Sequence, residues 1–169
     1  MMMDRAGQQG FWRRLVALLS VCAVLVVSSM ATASNYYLAD LGRFGDPVVE
    51  SFRKHGIETT EQFLAKALTD RARKALARQV KMKEAELLEF AKDCEFMQIT
   101  GVGPKATRLL RASGVESVED LASRKADELL ATIKKTNAES KITETNPNLS
   151  VVEYWIEQAK KVPYHLKAN

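Results

Sequence analysis

Apolar residues recur three and four positions apart along this chain, and no stretch keeps the period of two that marks a half-buried strand. The pattern is clearest over 83–97, where Leu87, Leu88, Ala91, Cys94 and Phe96 share one broad side and predict a helix. Shorter pieces flank it. Residues 35–41 read as a short helix with Tyr36, Tyr37, Leu38 and Leu41 on its apolar side. Asp46 reads as an N-cap and Pro47 as the first residue of a helix reaching about His55, which Gly56 ends. Thr59 and Gln62 form a capping box ahead of Phe63, Leu64, Ala67 and Leu68, and Thr69 caps a helix over 70–80. A helix over 104–113 turns Ala106, Leu109 and Leu110 inward, and Gly114 closes it. Ser117 caps a short helix with Val118 and Leu121, and 126–135 carries Leu129, Leu130 and Ile133. The polar stretch 136–148 reads mainly as an irregular connection. Ser150 and Glu153 then predict a capping box for a last helix that Pro163 stops, and 164–169 reads as a frayed tail. The expectation is an all-α domain over 34–163.

The first 33 residues have a different character. Arg5, Arg13 and Arg14 precede an uncharged run from Leu15 to Val27, and Ala31-Thr32-Ala33 follows. A basic start, a short apolar centre and small residues at a cleavage site make up an export signal, with the cut placed between Ala33 and Ser34. An uncleaved membrane anchor is the alternative, although 13 residues fall short of the roughly 20 a spanning helix needs. The segment holds three of the 25 basic and one of the 21 acidic side chains, so the remainder carries 22 against 20, a net charge of +2. Such a chain binds a polyanion only where its cations gather on one face. Cys94 is the one cysteine beyond residue 33, which excludes an internal disulfide there. It reads as a packed apolar residue, with pairing to a second chain as the alternative.

Ile99-Thr100-Gly101-Val102-Gly103-Pro104-Lys105 joins the helix predicted over 83–97 to the one predicted over 104–113. Two glycines widen the backbone's choices, Pro104 suits a first helical position, and Lys105 adds a cation beside free N–H groups at a helix start. An anion could approach there, and a tight turn between packed helices is the plainer alternative. Shifting the chain by 58 residues lays Leu41 on Ile99, Gly45 on Gly103, Phe52 on Leu110, Gly56 on Gly114, Thr59 on Ser117 and Phe63 on Leu121. A shift of 65 lays Leu87 to Met97 on Val152 to Val162. The chain beyond the export signal therefore reads as two copies of one unit, expected to pack face to face because each has little apolar surface of its own.

Ile99 to Leu110 resembles the helix-hairpin-helix motif, in which a hydrophobic-Gly-hydrophobic-Gly hairpin joins two helices. Residues 35–162, with paired hairpins and the closing stretch Val152 to Ala159, resemble an uncharacterised bacterial family of tandem helix-hairpin-helix domains. The resemblance implies a domain that holds DNA without reading its sequence, through hairpin amides and a following lysine on phosphates. Carried over by position, the phosphate contacts are Gly101, Val102, Gly103 and Lys105, with Arg108 or Arg111 as flanking charge. The first copy departs from the pattern: Arg43 stands where the first glycine would be and Asp46 where the second copy has Pro104, so that hairpin reads as structural.

Enzyme chemistry finds little support, since His55, His165 and Cys94 show no spacing suited to a metal or to a nucleophile with its base. No cofactor, metal or small-molecule substrate is expected. The carboxylates Glu84, Glu86 and Glu116 to Asp120 fit helix starts and a solvated face. The basic run Arg71, Arg73, Lys74, Arg78, Lys81 and Lys83 reads as a solvated helix face, unless it lies on the same side as Lys105. Two functions stay open: DNA-backbone binding through the second hairpin, and an exported protein-interaction or scaffold domain that keeps the fold without DNA.

Overall fold

The computed structural model of the protein describes residues 35–162 and Leu166. The predicted export signal and the Pro163 stop lie outside the described residues. Among the described residues eight α-helices follow a 3-10 turn at Leu38–Leu41: α1 Asp46–Lys54, α2 Thr60–Ala67, α3 Asp70–Val80, α4 Glu84–Phe96, α5 Pro104–Ala112, α6 Val118–Ser123, α7 Ala126–Ser140 and α8 Leu149–Ala159. No β-strand occurs among the described residues; one isolated bridge links Tyr37 to Thr59. No helix there is long and apolar enough to cross a membrane.

Local caps account for most boundaries. Thr59 accepts from the Gln62 N–H while the Gln62 side chain accepts from the Thr59 N–H, the expected capping box. Thr69 and Ser117 cap α3 and α6 through the Ala72 and Asp120 N–H groups. Four expectations fail. The short helix expected over 35–41 is a single 3-10 turn at Leu38–Leu41, and Tyr37 before it is exposed and bridges to Thr59. Gly45, not Asp46, is the N-cap of α1: its carbonyl takes the Val48 and Val49 N–H groups, and Asp46 becomes the first helical residue. Helix α7 continues five residues past 135, because buried Asn137 donates to the Thr143 carbonyl and Asn146 Oδ1 and accepts from the Thr143 N–H. Those bonds tie the polar stretch back onto the helix. Finally, Asn148 caps α8 through the Val151 N–H, while Ser150 donates its hydroxyl to Asn148 Oδ1.

Buried apolar residues fall into two clusters rather than one shared core. One gathers Leu38, Phe52, Ile57, Phe63, Leu76, Leu87, Phe90 and Cys94, and the other gathers Phe96, Ile99, Val102, Leu110, Val115, Ile133, Trp155 and Ile156. Each half folds four helices around its own centre. In the first, α2 packs on α3 and α4, and α1 on α3; in the second, α6 and α7 pack on α8, and α5 on α7. Helix α4 belongs to both sides, since it also touches α5 and α6. Four phenylalanines knit the first core, with Phe44, Phe52, Phe63 and Phe90 in tilted or edge contacts at 4.6–5.7 Å. Cys94 is completely buried and burial pushes its thiol well above the usual range, so it packs as a small apolar residue.

Candidate nucleic-acid interface

Helix α4 hands the chain to the second hairpin through a short ladder of bonds, Ile99 N–H to the Phe96 carbonyl and Val102 N–H to the Ile99 carbonyl. Gly101 takes φ 84°, which other residues rarely adopt, and a Cβ there would lie 3.4 Å from Trp155 Nε1. Gly103 is different. Its φ of −91° is open to any residue, but a Cβ would come within 2.9 Å of the Tyr36 hydroxyl. One glycine is required by conformation and the other by a close neighbour. Replacing Gly101 by Ala is therefore expected to cost about 1–2 kcal/mol, read as a lower urea midpoint. An unchanged midpoint would contradict the strain.

The side chains assigned to phosphate divide sharply. Lys105 and Arg108 are exposed, stand one turn apart on α5, and make no ion pair among the described residues. Pro104 has no N–H, and the Lys105 and Ala106 N–H groups open the helix without intrahelical acceptors. Val102 drops out as a contact: its N–H is bonded to Ile99 and its side chain is fully buried. Gly103 offers a cramped approach because the Tyr36 hydroxyl already lies against it. Arg111 is also committed. It pairs with Glu89, lies 3.5 Å from Asp93 and donates to the Glu116 carbonyl at 2.5 Å, binding α5 to α4.

At Arg43, where the 58-residue shift predicts a counterpart of Gly101, the left-handed turn lies one residue earlier. Gly42, one position before Arg43, takes the left-handed conformation at φ 61°. Arg43 reaches Asp93 at 2.6 Å and lies 5.5 Å above the Phe90 ring centre. Asp93 thus ties Arg43 and Arg111 to one point on α4, and burial raises its pKa against the pull of both guanidinium groups. This hairpin is held by packing and an ion pair. The basic run on α3 loses one member as well: Arg73 is 2% exposed, donates to the Ala67 and Leu68 carbonyls and pairs with Asp70, closing the end of α2.

A groove of about 710 Å³ runs beside the second hairpin, where Gly103, Lys105 and Arg108 face Asp40 and the Thr143–Pro147 connection. Trp155 and Val151 form part of its apolar floor, and Glu144 stands with Asp40 against the two cations. Sequence spacing could not reveal Tyr36, Asp40 or Glu144 as neighbours of the hairpin, because they lie about 40 to 70 positions away and carry no motif. Near the junction of the halves, Glu95 is 1% exposed; burial lifts its carboxyl to about 7, while the Leu166 N–H donating at 2.6 Å and the Arg73 charge work against that rise. Glu119 is the like charge that adds to it. Leu166, in the tail expected to fray, is half-buried by this contact.

The family described as a domain of unknown function (DUF4332) matches residues 44–162, and the chain belongs to it. No curated protein and no solved structure matches the chain.

Proposed function

We propose that this member of an uncharacterised family is a non-enzymatic binding domain of two helix-hairpin-helix units, and that its second hairpin holds nucleic acid by the phosphate backbone without reading bases. One observation carries the reading. Among the described residues Lys105 and Arg108 are exposed and make no ion pair beside an open helix start, whereas Arg43 and Arg111 nearby are taken up by carboxylates of α4. The two-unit reading is supported by α1 and α5, which both run nine residues and begin 58 positions apart. Gly56 and Gly114 follow them with φ 68° and 81°, and capped helices come next. The contacts α1 with α3, α2 with α4 and α3 with α4 recur four helices later.

A charge-reversing Lys105→Glu variant is expected to weaken duplex affinity about tenfold and to lower the slope of log affinity against log salt by about one. Its thermal midpoint should stay that of the wild type, since the exposed side chain makes no ion pair among the described residues. Wild-type protein that leaves a labelled duplex unshifted at low salt would remove the proposal.

The second reading is an exported interaction or scaffold domain, favoured by the groove itself. Asp40 and Glu144 balance Lys105 and Arg108 around an apolar floor, a lining that suits a protein segment as well as a phosphate chain. The export signal read over 1–33 adds to it, because a chromosome is not available outside the membrane. On that reading a folded Lys105→Glu protein keeps its partner.

A further inference from the structure

Cations outside the second hairpin gather beside the first. The turn from α3 to α4 holds Lys81 at φ 56° and Lys83 at the N-cap of α4, both exposed and without an ion pair among the described residues. A hollow of about 570 Å³ sets them beside Arg43 and Gly45. Another, of about 430 Å³, joins Lys81 to Lys74 and Arg78 on the outer face of α3. Arg43 and Arg108 also line one small cavity of about 50 Å³ with Thr107, whose buried hydroxyl has no partner among the described residues. Arg108 then enters the groove of the second hairpin with Lys105. Each hollow shares a cation with the next, first Lys81, then Arg43, then Arg108. The basic run of α3 and the second hairpin are thus linked by a series of hollows that share their lining cations.

Carboxylates interrupt this band unevenly. Glu84 and Glu86 face Lys74, Arg78, Lys81 and Lys83 at one end, which leaves that end positive. Asp93 neutralises Arg43 in the middle, and Asp40 and Glu144 offset Lys105 and Arg108 at the other end. Along this band the strongest net charge is thus at the turn between α3 and α4, beside the first hairpin rather than at the second.

We propose that this band is the track of a duplex backbone, gripped by Lys105 and Arg108 at one end and by Lys81 and Lys83, backed by Lys74 and Arg78, at the other. The inference rests on the second hairpin being a phosphate grip and adds its second anchorage. Arg43 is bound to Asp93, so the first hairpin supplies shape while the neighbouring turn supplies charge. A polyanion with regularly repeated charge suits cations spread along a surface, whereas a single small phosphate needs them converging on one point.

The test measures duplex binding by anisotropy across a salt series for full-length protein. Lys81→Glu/Lys83→Glu is expected to weaken binding about tenfold or more and to lower the salt slope by about two. Lys74→Glu/Arg78→Glu, on an exposed helix face, should act in the same direction and guards against a misfolded turn. Lys134→Glu/Lys135→Glu makes the same charge change on α7, lines none of these hollows, and should leave the slope near that of the wild type. If Lys105→Glu loses affinity while both first-half variants keep wild-type slope, the band is wrong and the hairpin grip survives. No duplex binding by the wild type would overturn both. An equal loss in the α7 variant, or binding to phosphatidylserine vesicles with none to duplex, would also overturn the band.

Discussion

Replacing Phe90 by Ala is expected to lower stability by about 3–5 kcal/mol, enough to consume much of the margin of an ordinary domain. Phe90 is fully buried, its ring meets Phe44 edge-on at 4.8 Å and Phe63 at 4.6 Å, and Arg43 lies over it. Truncation leaves a cavity among three other rings and removes the surface on which Arg43 rests. The neighbouring Leu88→Ala, at a half-buried position of the same helix, should cost clearly less. Urea titration of both variants checks the ranking. A loss below about 1.5 kcal/mol for Phe90→Ala would mean that the rings close over the gap.

The second large effect depends on pH. Glu95 has a folded-state pKa of about 7 against an ordinary 4.5, so the folded protein holds this proton more tightly than the unfolded chain does. Its contribution is fully present below about 4.5 and is lost as pH rises toward 7. The gap corresponds to about 3 kcal/mol between pH 4 and pH 8. Arg73 and the Leu166 N–H favour the charged form, whereas Glu119 opposes it. Glu95→Gln keeps an acceptor for the Leu166 N–H but cannot ionise, so it should exceed the wild type in stability at pH 8. It should also flatten the decline between pH 5 and 7. Denaturant midpoints at several pH values decide this, and parallel curves for the two proteins would refute the assignment.

What could be read from the chain and what could not divides by range. Thr59, Thr69 and Ser117 cap helices with N–H groups three residues away, so a short window holds the whole interaction. The end of α7 depends on Asn137 meeting Thr143 and Asn146, contacts that exist only once the chain has turned back. Arg111 has the spacing of an outward-facing cation, and only folding brings Glu89 and Asp93 to it. Near Arg43 the register hides the answer: Gly42 makes a left-handed turn one residue before the position that a fixed 58-residue shift predicts. At the candidate site, the exposure of Lys105 and Arg108 follows from the period of α5. The placement of Tyr36 against Gly103 does not, because it joins residues 67 positions apart.

Helix α4 has a mechanical consequence. It buries Leu87, Phe90, Ala91 and Cys94 in one cluster and Phe96 in the other, with no loop between them. A hinge at that point would have to break helical hydrogen bonds and pull an apolar side chain from each core at once. Two separately built centres are therefore coupled like beads on one rigid axle. The domain should open in a single cooperative transition, and a ligand that steadies one end should slow amide exchange at the other.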